Sequence, residues 1–134
     1  MATIRKTMDL PTPAEAVWEV LRDFGGLMRL APGFIAGCTL EEGGAVRLVT
    51  FGNGIQLRER LVTLDDGARR IVYTAFGGQT THYNGAAQVV ALDAGRCRFE
   101  WTVDLLPDTL APAIGQMMGL GMEAMRSALT PPAR

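Results

Sequence analysis

The sequence predicts an α+β fold: one strand and two short helices come first, then a six-stranded antiparallel meander, then a long C-terminal helix. Two observations lead to this prediction. Residues 110–129 carry apolar side chains at helical spacing. Residues 34–105 alternate apolar and polar side chains between turns rich in glycine, asparagine and aspartate. We expect residues 1–134 to form a single domain, because this length is typical of one.

A helix start follows the first strand. Thr12 is expected to be the N-cap, Pro13 to occupy the first helical position, and Glu15 to complete a capping box. Gly25-Gly26 should end this helix, and residues 27–30 should form a second, short helical piece.

The predicted strands are 3–10, 34–42, 45–51, 55–64, 69–76, 81–92 and 96–105. Alternate side chains of a strand point to opposite faces, so parity separates an inner face from an outer one. Ala91 is left open. The predicted inner set is Phe34 or Ala36, Cys38, Leu40, Ile55, Leu57, Glu59, Leu61, Thr63, Ile71, Tyr73, Ala75, Tyr83, Gly85, Ala87, Val89, Cys97, Phe99, Trp101, Val103 and Leu105.

The C-terminal helix has an apolar face that is rich in methionine. Methionine is flexible and fills irregular gaps, so this face is either an adaptable core surface or one wall of a cavity. Because the inner sheet face carries small residues such as Ala75 and Gly85, we favour the cavity and expect Met117, Gly121 and Met125 to face it. The apolar face comprises Leu110, Ile114, Met117, Met118, Gly121, Met122, Met125 and Leu129.

Composition excludes several classes of function. The net charge is −1 with both signs interspersed, so nucleic acid is not an expected partner. No apolar run is long enough to span a membrane, and the N-terminus lacks the apolar segment of a signal peptide. Cys38 and Cys97 are expected to be buried free thiols in a reducing cytoplasm. A single histidine, His82, and a single lysine, Lys6, argue against a histidine metal site and Schiff-base chemistry, so no cofactor is expected.

Glu59 is the strongest candidate for a functional residue. Its parity places a carboxylate on the inner face, where it must be paired, wet or neutral. One interpretation is a hydrogen-bond acceptor or acid/base group for a ligand. The other is a buried ion pair with Arg47, which parity also allows to point inward. Tyr73 and Tyr83 either hydrogen-bond a ligand carbonyl, acting with Glu59 in catalysis, or form plain cavity wall.

Several stretches resemble the SRPBCC superfamily, which has the START-like helix-grip fold, and specifically its polyketide cyclase/dehydrase-like branch. They are Ala16-Val17-Trp18 to Asp23-Phe24, Gly44-Ala45-Val46-Arg47, Arg58-Glu59-Arg60-Leu61 with Leu64-Asp65-Asp66, Arg70 to Tyr73, and Gly121-Met122 to Met125. The resemblance implies a curved seven-stranded antiparallel sheet wrapped around the C-terminal helix, with a cavity between them.

Phe34-Ile35-Ala36-Gly37-Cys38 and the Glu-Arg-Leu stretch from Glu59 are also similar to the plant abscisic acid receptors. That resemblance implies ligand-lining positions at Glu59, Tyr73, Tyr83, Gly85, Trp101, Met117 and Gly121. From their inward positions we expect Arg47, Ala75 and Met125 to be ligand-binding residues as well. Ala36 stands where those receptors carry the lysine that anchors a carboxylate, so the ligand here is expected to lack a carboxylate in need of a charge partner.

Three functional hypotheses follow. The first is binding of a small, mostly apolar molecule, aromatic or polyketide-like. The second is a cofactor-free cyclase, dehydratase or aldol-type enzyme that uses Glu59 and a tyrosine as an acid/base pair. The third is a protein–protein interaction module. The oligomeric state is left open, a homodimer included.

Overall fold

A computed structural model describes residues 1–132 and confirms the predicted helix-grip fold. Short 3₁₀ turns lie at Glu42–Gly44 and Asp108–Leu110. The elements in chain order are β1 (Ala2–Leu10), α1 (Ala14–Leu21), α2 (Leu27–Leu30), β2 (Ile35–Glu41), β3 (Val46–Phe51), β4 (Gln56–Asp65), β5 (Arg70–Phe76), β6 (His82–Asp93), β7 (Arg96–Leu106) and α3 (Ala111–Leu129).

The seven strands form one antiparallel sheet in the order β1-β7-β6-β5-β4-β3-β2. Five consecutive hairpins build β2 to β7 as a meander, and β1 then pairs with β7 over its whole length, from Ala2 opposite Leu105 to Leu10 opposite Cys97. The inner face of β7 is buried as parity predicted, because every second side chain from Cys97 to Leu105 is at most 9% exposed.

The α3 helix packs on this inner face and against β1 and α2. Its buried side is the predicted one, with Met118, Met122, Met125 and Leu129 in the core and Ile114 and Met117 half-buried beside them. The sheet and the helix therefore enclose one apolar interior.

The N-cap prediction for Thr12 was wrong. Pro13 holds the N-cap position of α1 without a side-chain cap, and the Thr12 hydroxyl donates to the Leu129 carbonyl over 2.5 Å. Glu15 pairs with Arg69 instead of closing a capping box. The last carbonyls of a helix have no partner within the helix. The buried Thr12 satisfies one of them in α3, at Leu129, and so connects the start of α1 to the end of α3.

Two β-bulges overturn parts of the parity prediction. In β4 the register shifts between Leu61 and Thr63, so Thr63 turns outward and Leu64 packs on the core. In β2 it shifts between Ile35 and Gly37, so Ile35 is buried and Ala36 is exposed.

Two further inward assignments were wrong. Leu40 is 50% exposed on the edge strand β2, and Ile55 precedes β4 with 61% of its surface exposed. Ala91, whose face the pattern left open, is exposed next to an irregularity at the end of β6. Of the two cysteines, neither of which forms a disulfide, Cys97 is buried and Cys38 is only half-buried.

Candidate functional site

A cavity of about 670 Å³ lies between the sheet and α3. Its wall is mostly apolar, with side chains from β3 to β7, α2 and α3. Exposed polar residues (Asn53, Gln56, Gln79 and Gln116) gather where turns and the helix reach solvent, and mark the mouth. Inside, the only charged side chains among the described lining residues are Arg47 and Glu59.

Arg47 and Glu59 form a buried ion pair in this wall. They sit opposite each other on β3 and β4, and both are about 5–6% exposed. The Arg47 Nε and Nη2 atoms lie 2.8 and 2.7 Å from the same oxygen, Glu59 Oε1. Arg47 Nη1 also donates to the Phe24 carbonyl over 3.1 Å. The predicted ion pair is therefore present, and it uses only the Oε1 atom of Glu59. No described residue donates a hydrogen bond to the other oxygen, Oε2.

Two aromatic rings enclose the guanidinium. The Arg47 Cζ atom lies 4.2 Å from the centroid of Phe24 and 5.1 Å from that of Tyr73. Both distances are in the range of cation–π attraction, which strengthens when water is excluded. Arg47 is thus fixed in place by a carboxylate, a carbonyl and two ring faces.

Tyr73 joins the ion pair to the rest of the cavity floor. The Trp101 indole Nε1–H donates to the Tyr73 hydroxyl oxygen over 2.9 Å, and the Tyr83 hydroxyl is a close neighbour of the Tyr73 hydroxyl. Burial is the main cause that raises the pKa of both tyrosines, and the nearby Glu59 carboxylate acts in the same direction on each. Both phenols are therefore neutral hydrogen-bond donors at physiological pH rather than bases.

Gly85 makes room for the Tyr73 ring. The two residues are opposite each other on β5 and β6, and a Cβ atom at Gly85 would overlap the Tyr73 phenol. On the helix, Gly121 has a related position, since an added Cβ would stand 3.1 Å from atoms of Phe34 and of Trp101. Each glycine allows an aromatic side chain of the cavity to pack against its backbone.

The predicted ligand-binding residues divide into two groups. Ala75 and Gly85 face inward but do not line the cavity, because Ala75 lies opposite Glu59 and Gly85 is covered by Tyr73. That any of the others contacts a ligand remains a prediction. Those that the structure brings together on the cavity wall are Arg47, Glu59, Tyr73, Tyr83, Trp101, Met117, Gly121 and Met125.

Other lining residues were missed as binding positions. Phe34 and Phe51 meet edge to face, with centroids 5.6 Å apart, near the mouth. Phe51 shares parity with Arg47, and Ile114 lies on the same helix face as Met117, so both could have been found from spacing. Ile55, which parity assigned to the inner face, lies just before β4 and borders the mouth of the cavity.

The described residues contain no group of three or more histidine, cysteine, aspartate or glutamate side chains placed to hold a metal ion. Within the same residues, no helix has the length and apolar character required to cross a membrane.

A family model described as polyketide cyclase / dehydrase and lipid transport matches residues 1–130. The chain belongs to this family. The SRPBCC resemblance and its polyketide cyclase branch are thereby confirmed. A search of curated proteins gave no match.

Solved structures agree with the fold. A protein from Thermobifida fusca is 31% identical, with a TM-score of 0.79 over 94% of this chain and 91% of that one. An uncharacterised protein from Bacillus thuringiensis is 24% identical, with a TM-score of 0.87 over 96% of this chain and 98% of that one. Norcoclaurine synthase from Thalictrum flavum, solved with dopamine and hydroxybenzaldehyde, is 19% identical with a TM-score of 0.71 over 96% and 83%. The family description fits ligand binding or cyclase activity.

Proposed function

We propose that this protein binds a small, mostly apolar molecule in the cavity between the sheet and α3. The observation that carries the proposal is the cavity itself: about 670 Å³ with a largely apolar wall and one polar cluster, at Arg47, Glu59, Tyr73 and Tyr83. Small-molecule sites span roughly 300–1,000 Å³ and combine apolar walls with a few placed polar groups.

Apolar burial supplies the attraction. A ligand that removes about 300 Å² of apolar surface from water gains about 7 kcal/mol before the cost of association is subtracted. The methionines of α3 suit such a ligand because their side chains adjust to its shape. Met117, half-buried on the cavity wall, is the natural position for a test.

Binding of the neutral dye Nile red, followed by fluorescence, tests the proposal. We expect the wild-type protein to bind the dye and Met117→Lys to lose at least about tenfold in affinity, because a charge then lies in an apolar wall. Met28→Lys is the matched control, since Met28 is 47% exposed and lies outside the cavity. Equal affinities of the two variants would contradict the proposal. Mass spectrometry of molecules extracted from the purified protein identifies a natural ligand.

The family description supports a second candidate, a cofactor-free cyclase, dehydratase or aldol-type enzyme. In it, the unpaired oxygen of Glu59 takes a proton from the substrate and a neutral tyrosine stabilises the developing oxyanion. Under this alternative, Glu59→Gln lowers turnover by roughly 10²–10⁴-fold while substrate binding survives. If the protein only binds its ligand, the wild-type protein shows no turnover and Glu59→Gln has none to lower.

A further inference from the structure

The polar end of the cavity carries no uncompensated charge. The guanidinium of Arg47 and the carboxylate of Glu59 neutralise each other, and none of the other described lining residues is charged. A carboxylate or ammonium group entering from water would lose its hydration and find its natural partner already engaged. The site therefore discriminates against charged ligands.

One acceptor is open at this end. Both Arg47 contacts terminate on Glu59 Oε1, leaving Oε2 without a donor among the described residues. No enclosed side-chain nitrogen or oxygen in residues 1–132 lacks a partner, so Oε2 is not sealed in protein. Since Glu59 is 6% exposed and lines the cavity, Oε2 faces the cavity. An ionised carboxylate oxygen accepts hydrogen bonds and donates none.

One donor is open beside it. The indole N–H of Trp101 can only donate, so the Tyr73 oxygen accepts that bond. The Tyr73 and Tyr83 hydroxyls are neighbours, so at most one of their two phenol protons is used between them. No hydroxyl proton of the pair has another acceptor among the described residues. The tyrosine pair therefore offers at least one O–H to the cavity.

From this arrangement we infer that the ligand is a neutral hydroxy-carbonyl compound. Its hydroxyl donates to Glu59 Oε2, its carbonyl oxygen accepts from the Tyr73–Tyr83 pair, and its apolar body extends along α3 towards the mouth. The inference rests on the proposed function and specifies the chemical class that the same cavity selects. Each polar contact is charge-assisted or desolvated, so losing one leaves a buried group unpaired.

Four matched compounds test the inference by calorimetry on the wild-type protein. 3-Hydroxybenzophenone has both groups, 3-methoxybenzophenone lacks the donor, 3-benzylphenol lacks the carbonyl, and 3-benzoylbenzoic acid replaces the hydroxyl with a charge. We expect 3-hydroxybenzophenone to bind at least about tenfold tighter than each of the other three. No variant is needed, so impaired folding cannot obscure the result.

Two variants add a sharper comparison. Glu59→Gln releases Arg47 from its partner, so 3-benzoylbenzoic acid should now bind tighter than 3-hydroxybenzophenone. Glu41→Gln is the control, because it removes the same charge from an exposed ion pair. In that pair Arg58 Nε lies 2.8 Å from Glu41 Oε1. It should keep the wild-type order of affinities.

The outcomes separate the inference from the proposed function. If any of the other three compounds binds the wild-type protein as tightly as 3-hydroxybenzophenone, the inference is overturned while the apolar cavity remains a binding site. If Nile red binds and none of the four compounds does, the inference is overturned in the same way. If neither Nile red nor any of the four binds, both proposals fail.

Discussion

The Arg47–Glu59 pair is the feature on which the chemistry of the cavity depends. Spacing alone placed both side chains on the inner face and left two interpretations, an ion pair or a free carboxylate. The structure combines them, since one oxygen of Glu59 is paired and the other is not. The sequence could not predict that Arg47 pairs with only one of the two Glu59 oxygens. That contact depends on side-chain torsions, which packing against Phe24 and Tyr73 fixes.

Arg47→Met tests the energetic role of the pair. We expect the free energy of unfolding to fall by about 3–5 kcal/mol, because the charge of Glu59 is left buried without a partner. The double variant Arg47→Met/Glu59→Met should recover most of that loss, since neither charge remains. Urea unfolding measures both.

Arg58→Met is the control, because its exposed pair with Glu41 should contribute only about 0–1 kcal/mol. If the double variant is as unstable as Arg47→Met alone, the loss arises from packing around the guanidinium and not from the unpaired charge.

Among the elements, α3 carries three glycines, of which Gly119 and Gly121 have clearly different surroundings. A Cβ at Gly119 would meet nothing within 4 Å, whereas one at Gly121 would stand 3.1 Å from Phe34 and Trp101. Both glycines are less favourable than alanine in a helix interior by about 0.5–1 kcal/mol. A difference in stability between alanine variants at the two positions therefore reflects packing at the cavity rather than helix propensity.

We expect Gly119→Ala to raise the free energy of unfolding by about 0.5–1 kcal/mol and to leave Nile red binding unchanged. Gly121→Ala should gain less stability or none, because Phe34 and Trp101 must move, and it should weaken dye binding. Thermal unfolding and dye titration of the two variants check this. Equal behaviour of both would mean that Gly121 does not border the binding space.

The elements themselves were largely predictable, and the failures have local causes. Alternation identified all seven strands because one face of the sheet is buried throughout. Parity then failed at Thr63 and Ala36, where a bulge adds one residue and reverses the faces of the strand beyond it. The apolar pattern changes only after the extra residue of the bulge, so the bulge itself cannot be located from the sequence. The N-cap prediction for Thr12 failed for another reason. Its hydroxyl bonds to the carbonyl of Leu129, which is 117 residues away and cannot be identified from local sequence.

For the whole molecule, the two tyrosines provide an internal probe of the folded interior. Tyr73 and Tyr83 are the only tyrosines, and burial raises the pKa of both above the ordinary value of 10.0. Above that pH the unfolded chain releases these protons while the folded chain retains them. The unfolded state then binds fewer protons, so the free energy of unfolding falls as pH rises above 10.0. The Cys38 and Cys97 thiols, whose pKa burial also raises, act in the same direction from lower pH.

Spectrophotometric titration tests this. Tyrosinate absorbance should be missing while the protein remains folded above pH 10.0 and should appear together with loss of the far-ultraviolet circular dichroism signal. Tyr83→Phe should halve the final absorbance. Tyrosinate that forms near pH 10.0 with the fold intact would show that the cavity floor is open to water.

The pairing of β1 with β7 sets the order in which the protein can be completed during synthesis. Ala2 lies opposite Leu105, so β1 has no partner until nearly the whole sheet has been translated. The meander from β2 to β7 can form by successive local hairpins, whereas pairing β1 with β7 requires contacts between residues far apart in sequence. Since β7 and α3 both line the cavity, the cavity cannot be complete before these late-translated elements have packed together.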